Sequence, residues 1–415
     1  MNRFFDACLR LLFRGLVLPV LRLSKSVCPV RLSHIQSQRI GHLAEEPDVY
    51  LRALSLGLRN ARARHYFFSA NPANRQLQKM VGRRLRLVEN RILCSLFHRL
   101  LPLIQKTEFF VDLPAQERQY RIYAKGENGF AFTAAEEELG RRELARMGLG
   151  ENDWFICVHA RDSAYLRNVA GKANTGLELR DCNIENFKSA IDYIIAMGGF
   201  VIRMGAVVEG PLGGDSPQII DYATHFRSDF LDIYLPSKCR FFLGSNSGYT
   251  SVPMLFDKPT GWSNMTPLTF AITGRNNIWL PKYFRRITDG VLLGFDELRQ
   301  IGLFEYENRQ LVFTTDEYSR KGVDCVENEP LDLLDLCRDL YDMIKNRALT
   351  EAERELQLAF HREYIQLSED WELAAPVGIR FLLRRRNLLS ESLRAQVERA
   401  LADPAVAKKI SSNPD

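Results

Sequence analysis

A strand-length apolar run near the middle of the chain ends abruptly in three side chains that could bind an anion. The run is Trp154–Val158, and His159, Arg161 and Asp162 follow it directly. In open α/β sheets ligands bind outside the carboxyl ends of the strands, so polar groups just past a buried strand line a binding crevice. The planar fork of an arginine suits a phosphate there. The pattern predicts a phosphate site, although an ordinary strand-to-loop junction with solvated charges fits it equally well.

A second polar cluster follows the apolar run Arg240–Leu243 and precedes a predicted helix, Tyr249–Phe256. Small residues and two hydroxyls at the start of a helix favour an anion, because the first amides of the helix point at it. A tight turn with a serine N-cap is the alternative. The members of the cluster are Gly244, Ser245, Asn246, Ser247 and Gly248.

Further cationic candidates lie elsewhere in the same half of the chain. Arg203 ends the predicted strand Phe200–Met204 and should face the same crevice, unless it forms a surface salt bridge. Lys282 and Arg180 are secondary candidates for a phosphate contact, without support from their spacing.

The elements that must position these residues alternate between strands and helices. In the first part of the chain, Val30–Ile35 and His65–Ser69 read as strands, followed by the helical patterns Leu43–Leu56 and Arg75–Arg84. Such alternation predicts an α/β fold with parallel sheets covered by helices. His42 lies in the first strand–helix loop and is a candidate general base because of its ordinary pKa, or else a plain loop residue.

A chain of 415 residues is too long for one compact core. Gly148–Asn152 is a credible boundary between two α/β domains. The predicted organisation is an amphipathic segment over 1–27, an amino-terminal acceptor domain over 28–150, a carboxyl-terminal sugar-nucleotide domain over 151–330 and a helical region over 331–415.

The composition narrows the class of protein. Fifty-six basic and 51 acidic residues leave a net charge of +5, which does not demand nucleic acid, and none is predicted as a partner. The eight cysteines are dispersed without a Cys-x-x-Cys pair and read as buried thiols in a reducing, cytoplasmic compartment. No P-loop or Gly-x-Ser-x-Gly elbow occurs. The sequence also has no His-Glu-x-x-His, paired cysteine ligands or Asp-x-Asp, so no metal site is predicted. Arginine, lysine and helix amides would then have to neutralise a leaving phosphate.

The apolar segment 4–22 is interrupted by Arg10 and Arg14. Its uncharged runs are too short to span a bilayer, and its charges do not suit a signal peptide. Two interpretations stay open. The segment either lies in an anionic membrane interface, on the cytoplasmic face of the inner membrane, or docks on the core as a first helix.

Two resemblances make the prediction more specific. The His159-Ala-Arg161-Asp162 stretch, the later Phe230–Leu235 run with Asp232, and Phe241–Gly248 resemble, in order and spacing, the fucosyltransferase superfamily with its His-x-Arg motif. Over roughly residues 28–395 the chain is also similar to a largely uncharacterised family of bacterial glycosyltransferases related to surface-polysaccharide biosynthesis. The matching stretches are Arg39–Leu43, Gly199–Gly205, Asp221-Tyr-Ala and Ser247-Gly.

The superfamily resemblance implies two facing Rossmann-like domains, termed GT-B, with the sugar nucleotide held mainly by the carboxyl-terminal one. It implies that Arg161 grips the β-phosphate, that His159 and Asp232 hold the guanine base, and that Ser245 and Ser247 bind the diphosphate. The chain departs from several fucosyltransferases at Asp162, which stands where they have a second arginine. The donor sugar is therefore open, and Asp162 is expected to orient Arg161.

The sequence therefore predicts a metal-independent glycosyltransferase that needs no cofactor. It would move a sugar from a nucleoside diphosphate, with GDP-fucose the leading donor, to a glycan or lipid-linked glycan acceptor with inversion. Arg161 and His42 are the predicted catalytic residues. The alternative is a non-catalytic protein that binds membrane surfaces or polyanions on a degenerate nucleotide-binding fold.

Overall fold

The structure is a computed structural model and divides into two compact units, residues 1–137 and 138–415. It describes residues 2–25, 27, 29–113, 119–162, 164, 178–214, 216–268, 274, 276–303, 314–367 and 369–411. Parallel sheets and numerous helices make the chain an α/β protein. The predicted α/β class is confirmed.

The amino-terminal unit contains a three-stranded parallel sheet with its second strand in the centre. The strands are β1 (Val30–His34), β2 (Arg64–Phe68) and β3 (Arg86–Val88). The helices are α1 (Asn2–Leu12), a π-helical turn (Phe13–Val17), α2 (Leu18–Ser24), α3 (Ile40–Ser55), α4 (Arg75–Arg84), α5 (Arg91–Ile104) and α6 (Tyr120–Lys125).

Asparagine side chains begin two of these helices. The Asn74 side chain accepts from the Leu77 N–H at 2.8 Å at the start of α4, and Asn90 accepts from the Ile92 N–H at 3.0 Å at the start of α5. Each bond satisfies an amide that has no partner within the helix and contributes about 1 kcal/mol. These local caps explain why the helices begin directly after short strands.

The carboxyl-terminal unit is built around a six-stranded sheet in the order β6-β5-β4-β7-β8-β9, with every neighbouring pair parallel. β4, β7, β8 and β9 are buried along their whole length, as expected for a sheet covered on both faces. The strands are β4 (Phe155–His159), β5 (Phe200–Arg203), β6 (Ile219–Ile220), β7 (Phe242–Ser245), β8 (Thr260–Met265) and β9 (Asn277–Pro281).

Helices and a small antiparallel pair complete this unit. The pair is β10 (Tyr283–Arg286) with β11 (Val323–Val326). The helices are α7 (Ala134–Arg146), α8 (Lys188–Ala196), α9 (Tyr222–His225), α10 (Leu231–Lys238), α11 (Phe295–Gln300), α12 (Thr315–Arg320), α13 (Pro330–Ile344), α14 (Glu351–Phe360), α15 (Ile379–Arg384), α16 (Glu391–Leu401) and α17 (Pro404–Ser411).

One predicted helix takes a different form. The predicted helix Tyr249–Phe256 is two short 3-10 turns, Gly248–Ser251 and Pro253–Phe256. Pro253 has no N–H to donate, so a regular α-helix cannot run through the segment unbroken.

The division between the units falls inside α7, ahead of the boundary predicted near residue 150. Close packing accounts for this position. Gly140 on α7 lies so near the ring of Tyr234 on α10 that a Cβ at that position would come within 1.9 Å of a ring carbon. The second half of α7 therefore packs with the carboxyl-terminal unit, and the Gly148–Asn152 stretch lies within that unit.

The carboxyl-terminal helices belong to the same unit as the six-stranded sheet. Helix α13 packs on β8 and β9. An extended segment between α14 and α15 lies alongside β9, where the Trp279 N–H donates to the Pro376 carbonyl at 3.1 Å and the Gly378 N–H donates to the Trp279 carbonyl at 3.0 Å. Helix α13 and the segment Pro376–Gly378 thus cover part of one face and one margin of the sheet.

Replacing Arg380 with methionine should lower the free energy of unfolding by about 3–5 kcal/mol, because it strands a buried carboxylate. Arg380 on α15 pairs with buried Asp339 on α13 and with Asp342 at 2.8 Å. Burial raises the pKa of Asp339 to about 6, above the value of about 3.9 in unfolded chains. Between about pH 6 and about pH 4, Asp339 therefore binds more protons in the folded state than in the unfolded state. Protonation relieves the stranded charge, so urea denaturation should show a smaller deficit at about pH 5 than at about pH 8.

Arg354→Met is the matched control. Arg354 pairs with Glu372, but both side chains are about half exposed, and such pairs contribute only about 0–1 kcal/mol. Equal losses in the free energy of unfolding of the two variants would show that the buried pair of Arg380 and Asp339 contributes no more than an exposed one.

Candidate active site

Three neighbouring strands of the six-stranded sheet bring the predicted site residues to one edge. Val158 of β4 lies opposite Arg203 of β5, and His159 lies opposite Gly244 of β7. Because the carboxyl ends of parallel strands meet at the same edge, the residues that follow β4, β5 and β7 are neighbours here. The structure thus brings together His159, Arg161, Asp162, Arg203, Ser245, Asn246, Ser247 and Gly248.

His159 is a buried, neutral side chain with a protein partner at each ring nitrogen. Burial lowers its pKa to about 4. Nδ1 lies 3.3 Å from the Met204 carbonyl, which can only accept, so Nδ1 carries the proton. Nε2, 3.1 Å from the Ser247 Oγ, then accepts from that hydroxyl. His159 therefore joins the ends of β4 and β5 to the loop after β7.

Arg161 is held by its backbone while its side chain stays partly exposed. Its N–H donates to the Ser245 Oγ at 2.8 Å, and its carbonyl accepts from the Cys182 N–H at 2.8 Å. The side chain, 13% exposed, forms an ion pair with Asp181. A guanidinium so anchored can meet a ligand with little loss of conformational freedom. Asp181 was missed by the sequence analysis.

The segment that carries Asp181 is tied down by a buried lysine. Lys282, which follows β9, donates from Nζ to the Leu179 carbonyl at 2.5 Å and to the Asp181 carbonyl at 3.2 Å. Burial lowers the pKa of Lys282. On the other side, Arg180 donates from Nε to the Asn246 carbonyl at 3.1 Å. Lys282 and Arg180, the two secondary candidates for a phosphate contact, therefore support the segment that carries Asp181.

Arg203 and Asp162 form hydrogen bonds with the segments that follow β4, β5 and β6. Arg203 is buried and donates to Asp221 at 3.1 Å, so it is not a surface salt bridge. The second oxygen of Asp221 accepts from the Leu212 N–H at 2.9 Å. The Asp162 carboxylate accepts from the N–H groups of Ala164 and Glu209, at 3.0 and 3.2 Å.

The Ser245–Gly248 loop is stiffened by its own polar groups. The Ser245 carbonyl accepts from the Thr250 hydroxyl at 2.8 Å, and Ser245 itself is fully buried. Asn246 donates to the Thr266 carbonyl at 2.6 Å. Ser247 caps the Gly248–Ser251 turn and accepts from the Tyr249 N–H at 3.3 Å. The two serine hydroxyls thus have partners inside the protein.

Asp232 lies in the first turn of α10 and is connected to the site through Tyr249. Its carboxylate accepts from the Tyr222 hydroxyl at 2.8 Å and from Arg227 at 3.0 Å. Burial raises its pKa to about 6. The Tyr249 hydroxyl donates to the Asp232 carbonyl at 2.7 Å, and the Tyr249 ring stands edge-on to His159 at 5.1 Å.

His42 lies in the amino-terminal unit, in the first turn of α3. Its Nδ1 is 2.9 Å from Oε1 of Glu46, one helical turn further on. The other Glu46 oxygen accepts from the Gln36 N–H at 3.3 Å. The hydrogen bond to Glu46 raises the pKa of His42, whose side chain is 39% exposed. A proton on Nδ1, facing the carboxylate, leaves Nε2 able to accept a proton from a substrate.

No family model matches the chain, and no curated protein matches it. Solved structures with some similarity include a glycosyl transferase family 9 protein from Veillonella parvula, at 12% identity and a TM-score of 0.40, covering 61% of this chain and 86% of that one. E. coli ADP-heptose lps heptosyltransferase II has 10% identity and a TM-score of 0.38, covering 57% and 86%. The wall teichoic acid polymerase TagF has 9% identity and a TM-score of 0.31, covering 99% of each chain.

These similarities are low, and the α/β class rests on the sheet topology described above. The relation to fucosyltransferases remains a prediction. Within the described ranges, no three His, Cys, Asp or Glu side chains converge as metal ligands. The roles predicted for the individual site residues stay predictions as well.

Proposed function

We propose that the chain is a GT-B glycosyltransferase whose carboxyl-terminal unit binds a nucleoside diphosphate sugar. The observation that carries the proposal is the placement of Arg161. Its backbone is bonded on both sides at the carboxyl edge of a parallel sheet, and its side chain, paired with Asp181, is 13% exposed. Ligands bind at this edge in open α/β sheets, and a guanidinium is well suited to a diphosphate.

The proposed reaction is a direct displacement with inversion. An acceptor oxygen forms a bond to the anomeric carbon of the sugar while the bond from that carbon to the diphosphate oxygen breaks. The electron pair leaves with the diphosphate, whose growing negative charge Arg161 stabilises. The proton of the acceptor hydroxyl passes to a base, for which His42 is the candidate. This chemistry needs no metal ion and no cofactor.

The donor is proposed to be a guanine nucleotide, with GDP-fucose the leading candidate, on the resemblance of the His159, Arg161 and Asp232 motifs to fucosyltransferases. The internal bonds of Ser245 and Ser247 favour a supporting role: Ser245 fixes the Arg161 backbone and Ser247 is held by His159. The acceptor is proposed to be a glycan or a lipid-linked glycan.

The direct test is thermal denaturation of the full chain with GDP, UDP and ADP in turn. A ligand at about one hundred times its dissociation constant stabilises the folded state by about 2.7 kcal/mol, which raises the melting temperature by several degrees in a chain of this size. We expect such a rise with at least one nucleoside diphosphate, GDP foremost, and little with guanosine, which offers Arg161 no phosphate.

The Arg161→Ala variant should lose most of the rise. No shift with any nucleoside diphosphate would contradict the proposal. It would favour the alternative of a non-catalytic protein that binds membranes or polyanions.

A further inference from the structure

The amino-terminal helical segment, residues 2–24, presents an apolar face to solvent. Phe4 is 80% exposed and Leu11 is 70% exposed. Apolar residues spaced by one, three or four positions fall on one side of a helix. The apolar stripe, as we call it, consists of Phe4, Phe5, Leu11, Leu12 and Leu16.

The other side of the same segment docks on the amino-terminal unit. Phe13 is buried against Phe97 and Ile104 of α5. Asp6 accepts a hydrogen bond from Arg99, also on α5, at 2.8 Å. The segment therefore docks on the core, as one interpretation of the sequence held, and keeps an exposed apolar face. Docking fixes the direction in which the stripe faces.

The segment that carries the stripe also carries exposed cations. Arg10, Arg14, Arg22 and Lys25 are exposed, and Arg22 pairs with Glu108 at 3.6 Å. Asp6 is the one acidic residue among positions 2–25, and its charge is already paired with Arg99. An apolar face flanked by exposed arginines matches a layer of anionic headgroups above acyl chains.

Helix α5 extends this surface. Ile92 and Leu93 in its first turn are 70% and 50% exposed. An open cleft of about 340 Å³ lies between α1 and α5, and the Arg99 guanidinium stands 5.7 Å from the Phe5 ring centre. The cleft is lined by Phe5, Arg91, Ile92, Ser95, Leu96 and Arg99. Apolar side chains and two arginines thus line the same recess.

We propose that the apolar stripe and the first turn of α5 form a surface that binds an anionic phospholipid bilayer. A second copy of the chain is a poorer occupant, because a symmetric contact through the stripe would place like charges side by side. The described part of the chain contains no helix long and apolar enough to cross a membrane. The surface suits the anionic cytoplasmic leaflet. The proposal does not depend on the proposed transfer reaction.

The test is co-flotation of the full chain with vesicles of phosphatidylcholine alone and with added phosphatidylglycerol. We expect binding to the anionic vesicles, weakened by salt, and little binding to the neutral ones. Arg10→Gln and Arg14→Gln should each lower the partition constant about fivefold. The triple variant Phe4→Ser, Leu11→Ser, Leu12→Ser should abolish binding, and because these side chains are exposed it should keep the melting temperature of the wild type.

The matched control is Leu58→Ser with Ile287→Ser, which removes exposed apolar side chains, 62% and 54% exposed, that are not part of the stripe. The control should bind as the wild type does. Equal binding to neutral and anionic vesicles, or an equal loss in the control, would overturn the proposal. A third result would also overturn it: the wild type is a dimer in light scattering and does not bind vesicles, whereas the triple variant is a monomer. The stripe would then bind a second copy of the chain.

Discussion

Replacing Arg161 with alanine is expected to lower kcat/KM for sugar transfer about 10²–10³-fold. Removing one well-placed donor to a developing negative charge costs this much in other enzymes. The hydrogen bonds that fix the turn use the Arg161 N–H and carbonyl, which alanine keeps, so the fold should survive. Transfer and donor hydrolysis are measured with a radiolabelled sugar nucleotide, together with the melting temperature.

Two further variants sharpen the result. Arg161→Lys keeps the charge but loses the planar fork, so it should recover only part of the rate. Arg285→Ala removes an exposed arginine that pairs with Asp324 in the same unit, and it should transfer as the wild type does. If Arg161→Ala transferred sugar at the normal rate, the assignment of the donor site would be wrong.

Replacing His42 with alanine is expected to lower kcat about 10²–10⁴-fold, the usual contribution of a positioned general base. The sharper test is Glu46→Gln. The hydrogen bond to Glu46 raises the pKa of His42, and a base must be neutral to act, so the rate should rise with pH through a value above the ordinary 6.5. Without the carboxylate, the acid limb of the kcat/KM profile should move to lower pH, while the plateau falls.

Glu89→Gln serves as the control, since Glu89 is an exposed glutamate of the same unit. Its pH profile should match that of the wild type. An unchanged profile in Glu46→Gln, or full activity in His42→Ala, would show that another group takes the proton.

The strands that carry the candidate site could be predicted because they are continuous apolar runs. β4 and β5 lie in the interior of a parallel sheet, where both faces demand apolar side chains, and the site residues follow directly. That is why His159, Arg161 and Arg203 could be placed at one edge before the structure was known.

Strand β8, which pairs with β7 and β9 in the same sheet, gave no such signal, although it is fully buried. It contains Gly261, Ser263 and Asn264, which are uncommon in strands. Ser263 donates to the Gly244 carbonyl at 3.2 Å, and Asn264 exchanges two bonds of 2.7 Å with Asn328. Polar residues satisfied in this way are compatible with burial, but a local pattern cannot reveal partners that are distant in the chain.

The same reason explains why the sequence could not reveal which residues support the site. Lys282 reaches the Leu179 carbonyl across 103 positions of sequence, and Asp181 meets Arg161 across 20 positions. Ser245 and Ser247 read as ligand groups because hydroxyls at a strand end suit an anion. Their internal bonds could be seen only once the sheet was assembled.

The segment that lies along β9 has a consequence for the behaviour of the chain at high concentration. An outer strand of a sheet presents unpaired N–H and C=O groups, which can recruit the strand of another molecule and lead to aggregation. Trp279 uses both its N–H and its carbonyl on Pro376 and Gly378. The segment Pro376–Gly378 thus covers the margin of the sheet, and the buried strand β9 does not offer the N–H and carbonyl of Trp279 to other molecules.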